Sequence, residues 1–528
     1  MQRPDIVFIV LDTQRADRLG CYGHLARETG SSITPNIDRF SAGGVTFDRA
    51  ISPAQWTIPS HASLFTGLYP TAHQVTQSNL ALGPDRPHMA EVLEAAGYLT
   101  IGFCNNPLVG VVDNGFKRGF ETFYNYGGAI PSVPKHSTWL PWPVNRVFEG
   151  YTQFLRRISY PIQNLFARSD LAFRLSLNAW LTPLWSKMAN FKGQNERSVR
   201  DVSRFLALRE EKQEDRPLFL FLNLMETHLP FWPPGEFVEQ VAPYLQSDRE
   251  ARNIMRQWNR EAYRWSSPLT EPLGDVEGRV LSDMYDAEVA YQDDYLGRLF
   301  DALRQRANAA DTLTIIVSDH GEGLGEHGYF GHAFVAFQEL MHVPLIVHWP
   351  RKIPAKRRIA NTVSTRRIYH TVLDAAGALP KAAWNLDPSE VHGLSLMQTI
   401  HGRDPERSTA FAEVYPPLNY AKALKLRLPG TLERLRCMEM RRAVVRANMK
   451  LIKLAELPDA FFDLASDPLE NENMVSDSPF EVKALNKLID EFVHISEIQR
   501  ENLAAGVTLE LDDNDQLLQR LRGLGYIE

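Results

Sequence analysis

Cysteine is scarce in this chain. Three in 528 residues, Cys21, Cys104 and Cys437, stand far apart and odd in number. They offer neither a CxxC metal spacing nor a disulfide framework, which fits a reducing compartment. No apolar run approaches the length that crosses a bilayer. The start, MQRPDIVFIVLDTQ, lacks a basic leader, a long apolar core and a small-residue cleavage site. It reads as a first buried strand rather than a signal peptide. These absences predict a cytoplasmic protein. Positive charge is not in excess either. A net charge of −7 leaves no basic field to argue for nucleic acid. Internal repeats and low-complexity tracts are also missing.

What the chain does have is apolar mass. Hydrophobic residues make up 44% of it, ample for a large core, and the chain is too long for one small domain. Short apolar runs end abruptly in polar residues. Ile6–Leu11 ends at Asp12, Thr100–Cys104 at Asn105 and Asn106, Leu218–Met225 at Glu226, Thr227 and His228, and Thr312–Ser318 at Asp319 and His320. Helical patterns lie between them, at Met89–Ala96, Glu196–Leu208 and Ser282–Arg306. The expectation is an α/β fold, a mostly parallel central sheet with helices on both faces. Ligands in such sheets bind beyond the carboxyl ends of the strands, where the polar clusters fall.

Two regions differ from this pattern. Residues 128–192 hold eight Lys/Arg against two acids, with many aromatics and leucines. They read as an insert of amphipathic helices packed on the main domain. A sharper reading makes them a lid over an apolar substrate, or a face for peripheral contact with a lipid surface. Near residue 405 the pattern changes again. The segments ALKLRL, RAVVRA and KLIKLAE predict a small antiparallel sheet, and 481–528 a charged helical tail. The division is therefore 1–405 for a catalytic domain and 406–528 for a smaller α+β domain.

Three clusters carry chemistry. Asp12 with Thr13 ends the first strand, where Asp is often only a turn residue or a cap. SDHGEGLGEHGYFGH, residues 318–332, puts Asp319, His320, His327 and His332 in one glycine-rich loop with Glu322 and Glu326. Carboxylate and imidazole together at a strand end suit a divalent cation. QWTIPSHASLFTG, residues 55–67, places Thr57 at a helix start, since Pro59 is tolerated in a first helical turn. Thr57 can cap that helix. A hydroxyl there, beside a cation and the helix's positive end, can also serve as a nucleophile. The residues alone leave both readings open.

The motifs together resemble the sulfatases, within the alkaline phosphatase superfamily. The resemblance rests on DIVFIVLDTQRADRLGCYG, TPNIDRFSAGGVTFDRAIS, PSHASLFTGLYPTAHQV, NLMETHLPFWPP, SDHGEGLGEHGYFGH, FFDLASDPLENENM and the closing LRGLGYIE. They span nearly the whole chain in the family's order. The resemblance implies a smaller C-terminal domain and one metal-centred site, with Asp12, Asp319, His320 and Thr57 as ligands. The family's second acid and later Asn are here Thr13 and His320. A nitrogen ligand and one fewer carboxylate shift the expectation from calcium toward zinc or manganese, with magnesium still allowed.

The nucleophile slot departs further. The family pattern is Cys or Ser, x, Pro, x, Arg, whereas this chain has Thr57, Pro59 and His61. Cys or Ser there becomes formylglycine. Thr cannot, because its β-carbon carries a methyl group. The GKWHLG segment is missing as well, and its lysine and histidine fall near Asn105 and Pro107. Thr is the nucleophile in relatives that transfer phosphoryl groups. The reading is a hydrolase of phosphoric or sulfuric esters working through Thr57. His228 and His332 would touch the anion or protonate the leaving group, and His61 and Asn106 would complete the anion pocket. A second cation would enter if Glu226, His228 or His332 bound metal. The substrate is a small-molecule or lipid-like anionic ester. Three alternatives stand beside this: sulfuric ester hydrolysis without formylglycine, head-group transfer, and a non-catalytic anion binder.

Overall fold

The computed structural model describes residues 3–127, 192, 194–260, 262–378, 387–428, 430–504 and 507–509. The insert expected at 128–192 lies outside them apart from Lys192, as does the end of the tail from 510 onward.

The first apolar run forms β1, Ile6–Leu11, and every residue in it is buried. Ile6, Phe8 and Val10 join one hydrophobic cluster, while Val7, Ile9 and Leu11 join another. Successive side chains of a strand point to opposite faces. A run without polar alternation therefore belongs in a sheet covered on both sides. The other strands are β2 (Val45–Ile51), β3 (Leu99–Cys104), β4 (Thr122–Asn125), β5 (Leu218–Leu224), β6 (Leu313–Val317), β7 (His342–Val343), β8 (Leu345–His348) and β9 (Arg357–Ser364). Their order is β7-β2-β8-β6-β1-β5-β3-β4, with β9 also on β2. Pairs β1–β5, β1–β6, β3–β5, β3–β4 and β2–β9 are parallel. Strand β8 is antiparallel to β6 and β2, and β7 is antiparallel to β2.

Helices cover both faces. On the Phe8 side lie α1 (Thr57–Thr66), α2 (Met89–Ala95) and α3 (Arg367–Ala376). On the Val7 side lie Pro35–Ser41, Asn195–Glu211 and the long Asp275–Arg304, which begins seven residues before the expected start.

A second, four-stranded antiparallel sheet follows: Thr409–Val414, Arg441–Arg446, Met449–Leu454 and Leu457–Asp463. One face packs on Phe334, Leu340 and Met341, and the other on helix Pro479–Glu501 through Val482, Leu485 and Ile489. RAVVRA and KLIKLAE fall on its two middle strands. ALKLRL does not belong to it. That segment closes a helix, Leu418–Arg427. Among the side chains described there, Tyr420, Ala421 and Leu424 are buried, with Leu428 packed beside them. That spacing follows the helical repeat, which outweighs the short alternation. No helix among the described residues is long and apolar enough to cross a membrane.

Candidate active site

The site sits at the carboxyl ends of β1, β3, β5 and β6. Asp12 follows β1 and is buried, its backbone N–H donating to the Leu224 carbonyl at 2.7 Å. Asp319 and His320 follow β6, also buried. Asn106 follows β3 and caps a short helix by accepting the Leu108 N–H at 2.8 Å. Parallel strands side by side bring these ends together although the chain separates them by hundreds of positions.

Thr57 is the first residue of α1, and Trp56, in extended backbone, holds the cap position. No side-chain cap is made there, so the capping role expected of Thr57 is not observed. Its hydroxyl points at the strand ends instead. Thr57 Oγ1 lies 3.4 Å from His320 Nε2 and 3.5 Å from Asn106 Nδ2. The first-turn amides of a helix lack intrahelical acceptors and favour a nearby anion.

Asp12, Asp319 and His320 form one compact group, their ligand atoms all within 4.8 Å of one another. It is the only such group found among the described residues. Asn106 Nδ2 donates to Asp12 Oδ2 at 2.5 Å, while Asp12 Oδ1 has no hydrogen-bond partner. Asp319 Oδ1 accepts from the backbone N–H groups of Thr13 at 3.3 Å and His320 at 2.9 Å. Asp319 Oδ2 has contacts at 3.3 Å to His61 Nδ1 and 3.4 Å to His320 Nε2, without hydrogen-bond geometry. His320 Nδ1 lies 2.9 Å from the Gly321 carbonyl. That contact places the proton on Nδ1 and leaves the Nε2 lone pair facing the two acids. Two orphaned, fully buried carboxylate oxygens and one imidazole lone pair converge, and the donor set fits a divalent cation. Burial, then the Asp319 charge, pushes the Asp12 carboxyl well up. Burial also acts on Asp319, but His320 and His61 hold it below the usual carboxylate range.

The other expected residues divide. His332 adjoins the group and His228 lies beyond it, with ring centres 4.6 Å apart for His320–His332 and 5.0 Å for His228–His332. His61 is fully buried behind it, Nδ1 3.0 Å from the Thr57 carbonyl and Nε2 3.4 Å from Asn223 Nδ2. Both of its nitrogens are engaged by protein. Glu226 accepts from Asn195 at 3.1 Å and sits with Glu288 and Lys192. His327 stacks on Phe337 and bonds Glu339, and Glu326 pairs with Arg15.

Asn223 was not expected. It interrupts the apolar run of β5, and that interruption was the available signal. Its Oδ1 accepts the Asn106 N–H at 3.0 Å, and its Nδ2 reaches His61. One buried amide thus ties the residues behind both carboxylates.

Comparison with known proteins decides the family. The sulfatase family model matches residues 4–378. The chain belongs to the sulfatase family. A second model, the N-sulphoglucosamine sulphohydrolase C-terminal region, matches residues 325–497. The uncharacterized sulfatase YidJ of Escherichia coli is 25% identical over 71% of this chain and 68% of its own length. The multifunctional alkaline phosphatase superfamily protein PehA of Trinickia caryophylli is 24% identical over 91% of this chain and 93% of its own. Among solved structures, the phosphonate monoester hydrolase of Agrobacterium radiobacter shares the fold at a TM-score of 0.61. It is 22% identical, covering 96% of this chain and 97% of the other. Membership of this sulfatase family makes the chain a hydrolase of sulfuric or phosphoric esters.

Proposed function

We propose that this sulfatase-family member is a divalent-metal-dependent hydrolase of phosphoric esters that works through a covalent Thr57 intermediate. The observation that carries this reading is the Thr57 hydroxyl, 3.4 Å from His320 Nε2, a member of the same buried group as the orphaned oxygens of Asp12 and Asp319. Threonine cannot form the aldehyde that sulfatases use, yet its oxygen can attack phosphorus directly. The kinship with a multifunctional alkaline phosphatase superfamily protein supports the same choice.

Asp12, Asp319, His320 and Thr57 would hold the cation, with zinc or manganese favoured over magnesium and calcium by the nitrogen donor. When bound, the cation supplies charge that polarises the ester and eases deprotonation of the Thr57 hydroxyl. Thr57 Oγ1 displaces the alcohol in line, its proton reaching the leaving oxygen by way of the His332 Nε2 lone pair, and water then releases the anion and restores Thr57. Asn106, in reach of both Asp12 and Thr57, borders the anion pocket and orients the nucleophile. His61 acts from behind, orienting Asp319. His332 Nε2 contacts the leaving oxygen, and His228 contacts the anion. The division at residue 405 belongs to the same proposal.

The family match itself favours a second reading, sulfuric ester hydrolysis without formylglycine. A side-by-side assay separates the two. Purified protein with zinc, manganese, magnesium or calcium is given aryl sulfate, aryl phosphate and an aryl phosphodiester, with Thr57→Ala as control. Phosphoester turnover lost in the variant is expected. Turnover of the sulfate alone sinks the phosphoester reading. Phosphoester turnover that survives Thr57→Ala removes the covalent intermediate.

A further inference from the structure

Glu322 has no role in the chemistry above, yet it is fully buried. Its Oε1 lies 2.8 Å from His332 Nδ1, and its Oε2 has no hydrogen-bond partner. A buried carboxylate with one oxygen orphaned is costly. Its single side-chain bond goes to a ring at the edge of the metal group.

The local backbone sets this pair in place. Residues 323–331 form a small hairpin in which Gly323 pairs with Gly331 and Leu324 with Phe330. That register, carried one step back, sets Glu322 directly opposite His332. Directly opposed residues of an antiparallel pair share a face. Glycine is required on both strands of the rung beside Glu322 and His332. A Cβ on Gly323 would lie 2.8 Å from the Gly331 carbonyl oxygen. Gly331 has φ +81°, and a Cβ there would lie 2.7 Å from the Ser266 Cα and the Trp265 carbonyl oxygen. On the other side of Glu322, a Cβ on Gly321 would collide with the Glu339 carbonyl oxygen at 1.9 Å. The glycines thus fix the backbone on both sides of Glu322 and next to His332.

We propose that Glu322 is a positioning residue for His332, holding its Nδ1 so that the Nε2 edge is the one presented to the ester's leaving oxygen. This deepens the proposed function and rests on the His332 role stated there. Glu322 itself touches no substrate. It sets which nitrogen of the ring faces the reaction, as carboxylate partners do for functional histidines elsewhere.

The test compares wild type, Glu322→Gln, Glu322→Leu and His332→Ala on substituted phenyl esters of the class the protein turns over. The phenols span good to poor leaving groups. Gln keeps an oxygen that accepts from Nδ1, so Glu322→Gln is expected to keep the wild-type dependence of kcat on the leaving group. Glu322→Leu is expected to lose roughly 10- to 100-fold in kcat on the poorest leaving groups and much less on the best, with KM little changed. His332→Ala should show the same steepening. A steep His332→Ala with a flat Glu322→Leu overturns the Glu322 proposal alone. A flat His332→Ala overturns the His332 role beneath it. Equal loss in Glu322→Gln and Glu322→Leu on every ester also overturns positioning. If the Leu variant fails to fold, ¹⁵N resonances of the His332 ring in wild type and Glu322→Gln decide. A hydrogen-bonded Nδ1 in both is expected, and a non-bonded Nδ1 in either overturns it.

Discussion

Replacing Asp12 by Asn tests the metal group through stability, without any substrate. In the metal-free protein Asp12 and Asp319 are fully buried side by side, and Asp12 Oδ1 is unpaired. Burial and the Asp319 charge raise the folded-state pKa of Asp12. For an acid raised on folding, the cost appears as pH climbs above the unfolded value of about 4 and grows until the folded-state pKa is reached. Neutral pH therefore carries the penalty. The amide that replaces the Asp12 carboxylate carries no charge and can still accept from Asn106 through its oxygen. Removing one unpaired buried charge is worth on the order of 1–3 kcal/mol. Metal-free Asp12→Asn should therefore melt above metal-free wild type at pH 7 to 8. The advantage should vanish near pH 4.

Metal offsets that advantage. A cation at a hundredfold excess over its Kd stabilises the folded state by about 2.7 kcal/mol. For a chain this long the entropy of unfolding is about 1.1 kcal/mol/K, scaled from roughly 2.1 cal/mol/K per residue. Wild type should then rise by about 2–3 °C and Asp12→Asn should not. Melting curves in EDTA and in each of zinc, manganese, magnesium and calcium measure both effects. A variant that melts lower than wild type in EDTA refutes the repulsion argument. A variant that keeps the full metal-induced rise refutes the assignment of Asp12 to the cation.

Two further predictions concern buried polar groups around the site loops. Asn223→Leu removes the amide shared by Asn106 and His61, and metal affinity should fall by about 10- to 100-fold, as for other outer partners of ligands; titration calorimetry with zinc reads this, and an unchanged affinity contradicts the role. Lys450 and Glu470 form a buried ion pair at 2.7 Å under the loop that carries His327. Lys450→Met strands the Glu470 charge and should cost about 3–5 kcal/mol, whereas Lys450→Met with Glu470→Leu should recover most of it; equal loss of thermal stability in single and double variants counts against the pair.

The central sheet and most of the site could be read from the residues in order. Continuous apolar runs as short as Ile6–Leu11, ended abruptly by polar residues, point to strands covered on both faces. The polar residues that end those runs must then gather at one edge of the sheet. Asp12, Asn106, Asp319 and His320 follow from that rule, because each lies just beyond a strand. A hydroxyl at the head of α1 follows from Thr57 and Pro59 in the same way. Local pattern, in short, determined four of the nine strands of the central sheet and the chemistry waiting at their ends.

Tertiary structure decided what pairs with what. Whether Thr57 caps its helix or faces His320 and Asn106 depends on the extended backbone of Trp56, which takes the cap position in its place. ALKLRL alternates on paper, but the core beside it takes Tyr420, Ala421 and Leu424 at helical spacing. Asn223 shows as a blemish in an apolar strand, yet its partners Asn106 and His61 lie 117 and 162 positions away. Glu322 and His332 share a loop with His327 and Glu326 of the same chemical types. Only the hairpin register turns one pair inward together and sends the others to Glu339 and Arg15. Sequence supplies the groups. Their contacts arise from hydrogen bonds between strand neighbours far apart in the chain.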